Sequence, residues 1–192
     1  MGLEEFTSLE KDETKNTPSD WGVEGPLVSR CYAFSIRQDN WRNCVDPEPS
    51  YMENAGEIDE PTWQGVGANA KTDPRSLAPG TLVVARRASR GGNQPHGAKG
   101  LWRYRSYERV TNQDDVPWSD DCYDWVLYCE PIQREFPNAV DERMNDLPFY
   151  QTKFMGAVNE LRGQDCKSYL ARLLDSGLLN QEAESAVRGR KD

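Results

Sequence analysis

The sequence predicts an α+β domain, a curved sheet or open β-barrel with helices packed on it. Three observations carry the prediction. Apolar residues alternate at period two in several stretches before residue 130. The period changes to helical spacing in the last third. No internal repeat appears along the 192 residues.

Taken in order, residues 1–26 are acidic and polar and read as a disordered N-terminal segment. A domain over residues 27–178 follows, and residues 179–192 read as a short C-terminal helix or tail. The first strand is expected over Leu27 to Ile36, where Tyr32, Phe34 and Ile36 alternate with Ala33 and Ser35. Asp46 to Pro61 reads as loop. Asp73-Pro74 is an N-cap followed by proline at the first helical position, which predicts a helix of one or two turns ending by Ala78. Pro79-Gly80 marks a turn before a strand over Thr81 to Arg87. Ala88 to Gly100, rich in glycine, reads as a flexible loop. Strands are expected again over Leu101 to Val110 and Tyr123 to Glu130. Phe154, Met155, Val158 and Leu161 have helical spacing. Asp165 begins a second helix carrying Cys166, Tyr169, Leu170, Leu173 and Leu174, and Gly177 ends it.

Composition narrows the function. No run approaches the ~20 apolar residues of a membrane helix, and no secretion signal opens the chain, so a cytoplasmic location is expected. The five cysteines are loosely spaced and His96 is the only histidine, which gives little support to a metal site. The cysteines are expected to be reduced and mostly buried. The net charge is −9. Between Arg75 and Val110, however, eight cations stand against Glu108 alone, for a local +7. The next 36 residues carry −8. Such a basic block resembles a polyanion footprint, with pairing of the two blocks across a sheet as the alternative.

No catalytic constellation, phosphate-binding P-loop or HExxH motif is present, so an enzyme is not expected. The acidic pairs Asp114-Asp115 and Asp120-Asp121 read as solvated loop charges. The informative residues are tryptophans. Trp63 and Trp118 sit in polar segments, away from periodic apolar faces. A large aromatic there either plugs a core edge or lines a site.

Trp63-Gln-Gly-Val-Gly-Ala-Asn69, a short helix and Pro79-Gly80-Thr81-Leu82-Val83-Val84 together resemble the signature of EVE domains. The opening Cys31-Tyr-Ala-Phe-Ser-Ile36 resembles that family's first strand. Val116-Pro-Trp118-Ser-Asp-Asp, the strand through Trp125 and Phe136-Pro-Asn138 are similar to segments of YTH domains, which share the PUA-like fold. Thr81 departs from the family pattern, which has an acid after the glycine. The resemblance implies a PUA-like reader of a modified, methylated base in DNA or RNA, without cofactor or metal. Trp63 and Trp118 would wall an aromatic cage, with Tyr123 or Trp125 as a third wall. Asn69 and Ser35 would hydrogen-bond the base edge, while Arg86, Arg87, Arg90 and Lys99 would hold flanking phosphates. Prokaryotic members serve modification-dependent restriction systems, which implies a nuclease or NTPase partner. The alternative is a protein-interaction or small-ligand domain on the same fold.

Overall fold

The computed structural model describes residues 27–48, 55–56, 58–67, 70–89, 92–118, 123–140, 142 and 156–189. The expected disordered segment 1–26, Asn69, Arg90, Cys122 and the pair Asp120-Asp121 lie outside these residues.

β1 (Arg30–Ile36) shows why the fold has two cores. Tyr32, Phe34 and Ile36 point into one apolar cluster, and Cys31 and Ala33 point into another. A strand buried on both faces needs a layer on each side of its sheet. β3 (Leu82–Arg87) divides the same way, Val83 and Ala85 against Leu82 and Val84. The first cluster is aromatic and holds Trp41, Trp63, Trp102 and Trp118. The second lies under the two C-terminal helices.

The remaining elements are α1 (Trp41–Val45), β2 (Thr62–Val66), β4 (Gly97–Arg109), β5 (Trp125–Gln133), β6 (Val158–Arg162), α2 (Gly163–Asp175) and α3 (Gln181–Val187). The strands form one curled, mixed six-stranded sheet in the order β2-β5-β4-β3-β1-β6. β1 and β3 are parallel and every other pair is antiparallel. The β1–β3 register sets Ser35 beside Arg86.

Several expectations hold. Asp73 caps a single 3-10 turn at Pro74–Ser76, accepting from the Arg75 amide at 2.9 Å. Gly80, at φ 83°, makes the turn into β3. Gly177, at φ 65°, ends α2. Cys31, Cys44, Cys129 and Cys166 are free and buried.

Others are corrected. Of the four residues expected at helical spacing, Phe154 and Met155 lie outside the described residues, and Val158 and Leu161 belong to strand β6, not to a helix. Three residues apart on a strand, they face opposite sides, and each meets a different core. An i, i+3 apolar pair is therefore satisfied equally by a strand between two cores. Trp63 lies on β2, an edge strand with all five residues buried, which erases the alternation that would reveal it. The described part of the 88–100 loop is latched down: Gln38 donates to the Gln94 carbonyl at 2.7 Å and accepts from the Gln94 amide at 2.8 Å. Strand β4 begins at Gly97, inside the expected loop. The C-terminal helix α3 is part of the second core, with Ala183 and Val187 fully buried. Among the described residues no helix is long and apolar enough to cross a membrane.

Candidate ligand-binding site

A cavity of about 110 Å³ opens between the end of β1, helix α1, the middle of β2 and the segments carrying Trp118 and Tyr123. Its aromatic walls are Trp118 and Tyr123, with ring centroids 4.7 Å apart and planes inclined by 52°. Its polar lining residues are Ser35, Asn40, Gln64 and Arg37, the last paired with Asp39 at 2.5 Å.

Each wall is fixed by its neighbours. Asn43 of α1 donates to the Pro117 carbonyl at 3.1 Å, which ties the tryptophan segment to the helix. The Gln113 side chain donates to the Tyr123 carbonyl at 2.9 Å. The Asn40 amide donates to the Tyr123 hydroxyl at 3.1 Å and so orients the ring. Gly65 lets both rings approach the β2 backbone. A Cβ there would lie 2.6 Å from Tyr123 Cδ1 and 2.9 Å from Trp118 Cζ3. Cys44 closes the floor; burial pushes its thiol from 9.0 up to about 12, although the Trp118 indole N–H acts the other way.

Gln64 is buried, and its Nε2 donates to the Gly65 carbonyl at 2.8 Å. Its Oε1 has no hydrogen-bond donor. Ser35 Oγ accepts a 2.7 Å bond from Arg86 Nη1. Behind Ser35, Arg86 grips the fully buried carboxylate of Glu142 at 2.5 to 3.0 Å, and the hydroxyl of Tyr169 donates to the same carboxylate. Burial, and then the charge of Glu142, hold the Tyr169 phenol well above its ordinary value.

Three of the residues singled out in the sequence, Ser35, Trp118 and Tyr123, thus meet at one cavity. Trp63 does not line it. Its ring is 1% exposed and packs edge-on against Trp118 and Tyr128, at 6.5 and 5.4 Å. The void beside Trp63 has about 20 Å³, room for a water molecule and not for a base. Trp125 lies opposite Val66, edge-on to the exposed Tyr107 at 5.6 Å, and is not a wall either. Asn69 lies outside the described residues.

The expected phosphate contacts are placed differently. Arg86 is buried in its pair with Glu142. Lys99 is buried, and its ammonium donates to the carbonyls of Phe136 and Pro137. Arg87 donates to the Pro95 carbonyl at 2.7 Å, and burial lowers its pKa. Arg90 lies outside the described residues. Sequence reasoning missed Asn40, Gln64 and Gly65. The quoted Trp-Gln-Gly segment already contained two of them, but a strand-edge glycine gives no signal until its neighbours are known.

A second cleft, of about 420 Å³, lies between β3 and α3, with Arg30 and Arg103 at its sides and no aromatic wall. Among the described residues no group of three His, Cys, Asp or Glu side chains could hold a metal ion. Neither a family model nor a curated protein sequence matches the chain.

Proposed function

We propose that the chain is a non-catalytic binding domain of PUA-like fold that takes a modified nucleic-acid base into the Trp118–Tyr123 cavity. One observation carries the reading: two aromatic residues, the polar residues Ser35, Asn40 and Gln64, and Arg37 line one small cavity. Aromatic faces suit a planar ring, and short polar side chains suit its edge. A volume of about 110 Å³ is near the roughly 150 Å³ of a cavity that holds one benzene ring. A methyl group on such a ring would displace water from an apolar wall, which favours a methylated base over a plain one.

The test is titration of DNA and RNA oligonucleotides carrying N6-methyladenine or 5-methylcytosine, each beside its unmodified counterpart, at low salt. The expected result is a preference for one modified strand. Trp118→Ala should remove it, at a cost of ~1–3 kcal/mol of stacking. No binding to any strand would overturn the reading.

A second reading has a specific observation in its favour. Arg86 and Lys99 are engaged inside the protein, and without them a phosphate backbone has fewer cations to meet. The ligand would then be a free nucleoside or a similar small heterocycle. A modified nucleoside that binds as tightly as the oligonucleotide containing it selects this reading.

A further inference from the structure

The cleft between β3 and α3 lies apart from the base cavity. It borders the start of β1 at Arg30, whereas the cavity borders the end of that strand at Ser35. From Arg30 to Ser35 the strand runs roughly 17 Å. The phosphates beside a base held in the cavity would therefore not reach the cleft.

Arg103 is its distinctive wall. Along β4, Leu101 faces the second core, while Trp102 and Tyr104 face the first. By the same alternation Arg103 stands on the second-core side, beside its register partner Leu82. There α3 supplies the facing wall through Ala186. The Arg103 side chain is half-buried, and its guanidinium has neither hydrogen bond nor ion pair among the described residues. A cation partly withdrawn from water normally has a partner.

The charges around the cleft are unbalanced. Arg30 and Arg162 share one carboxylate, Glu160, at 2.5 and 2.9 Å. Glu130 pairs with Arg105 and is also the register partner of Arg103 on β5. Two arginines thus stand to each carboxylate, in a chain whose net charge is −9. No acid lines the cleft itself. Val28, Pro79 and Leu82 give it apolar surface.

We propose that this cleft is a second ligand site, for a small molecule that carries a phosphate monoester on a short apolar body, with Arg103 gripping the phosphate. A guanidinium fork matches two phosphate oxygens. A surplus of two arginines matches a monoester, whose charge is about −1.5 to −2 at neutral pH. A volume of about 420 Å³ falls in the roughly 300–1,000 Å³ of small-ligand pockets. The proposal does not depend on base binding.

The experiment titrates the full chain at low salt and reads phosphorus NMR line broadening, with calorimetry as a check. The probes are inorganic phosphate, phenyl phosphate, benzoate and an unmodified oligonucleotide without terminal phosphates. Phenyl phosphate should bind more tightly than inorganic phosphate, and benzoate about tenfold more weakly than phenyl phosphate. Arg103→Gln should weaken phenyl phosphate by about tenfold or more. Ala186→Glu, which sets a negative charge on the facing wall, should abolish binding. Glu130→Gln should tighten it by about two- to fivefold, a gain that misfolding cannot imitate. Urea midpoints check the fold of each variant. Trp118→Ala should leave phenyl phosphate binding unchanged; a parallel loss would merge the two sites and overturn the proposal. Benzoate binding as tightly as phenyl phosphate would overturn the phosphate class. Displacement of phenyl phosphate by the oligonucleotide would assign the cleft to a nucleic-acid backbone and overturn the small-molecule ligand. No broadening of either phosphate probe at millimolar concentration would overturn the site.

Discussion

At the scale of single residues, the cavity depends on what Gly65 lacks. Both aromatic walls rest where its side chain would be, and the colliding atoms belong to ring edges at 2.6, 2.8 and 2.9 Å. Neither ring can retreat freely, since Tyr123 is held by Asn40 and Gln113, and the Trp118 segment by Asn43. Gly65→Ala should therefore cost about 1–3 kcal/mol as overpacking and displace the Trp118 wall. Urea unfolding measures the first effect, and the position of the Trp fluorescence maximum measures the second. An unchanged midpoint and spectrum would show that the rings have room to move. The cysteines give a second check. Cys31, Cys44, Cys129 and Cys166 are at most 2% exposed, and a thiol must reach both reagent and ionised form to react. Iodoacetamide at pH 8 should label these four only after denaturation, as peptide mass spectrometry would read directly. Labelling of Cys44 in the native protein would mean that the cavity floor opens.

At the scale of elements, legibility followed the number of cores each segment touches. α2 borders one core, and its helical period was readable from Cys166 to Leu174. β1 and β3 border two, but β1 still sets Tyr32, Phe34 and Ile36 at strand spacing, and β3 reads as a short apolar run from Leu82 to Ala85 after a turn. β2 and β6 are short edge strands, and there the pattern failed. β2 is buried throughout, and the two apolar residues of β6 serve opposite cores. The sequence places a short helix or tail over residues 179–192, outside the main domain, because the seven residues of α3 cannot show how deeply they are packed. Its attachment is specific. Asn180 Oδ1 accepts from the Ala183 amide at 2.8 Å, while the Asn180 amide donates to Gln133 of β5 at 2.8 Å. Only the first bond uses the side chain. Asn180→Ala should lower unfolding stability by about 1 kcal/mol, the ordinary loss of an N-cap. Removal of residues 179–192 should cost far more, since it uncovers the pocket that Ala183 and Val187 fill. If the truncated chain unfolds at the same urea concentration as the full chain, α3 is not part of the core.

At the scale of the whole molecule, the charge blocks that stand apart in sequence are partly joined in space. Arg86 meets Glu142, and Arg105 meets Glu130, each pair linking the basic stretch to the acidic one. Composition could show the two blocks but not whether strands β3 to β5 would lay them side by side. The same sheet buries a second kind of ionisable group in quantity, and this sets how stability varies with pH. Burial raises the thiols of Cys44 and Cys129; for Cys31 the hydrogen bond with the Cys166 thiol comes first and burial second. The phenols of Tyr104, Tyr128 and Tyr169 are raised as well, by burial in the first place. For an acid whose folded pKa lies above its unfolded one, the folded state keeps the proton that the unfolded chain has already released. Between the two values the unfolded state binds fewer protons, so unfolding becomes easier as pH rises. The window opens near the ordinary thiol value of 9.0 and extends through the ordinary phenol value of 10.0. The acid side behaves oppositely but weakly, because the carboxylates of Asp39 and Asp73, held low by their arginines, are on the surface. Urea midpoints measured at pH 7, 9 and 10.5 should therefore be level up to about 9 and fall clearly by 10.5. A reducing agent is needed throughout, so that thiol oxidation does not imitate the effect. Replacing Cys129 by Ala should flatten the decline even if it lowers the midpoint at pH 7, since one of the groups that resists ionisation is gone. A midpoint that stays constant to pH 10.5 would mean that these thiols and phenols ionise in the folded protein as they do in the unfolded chain.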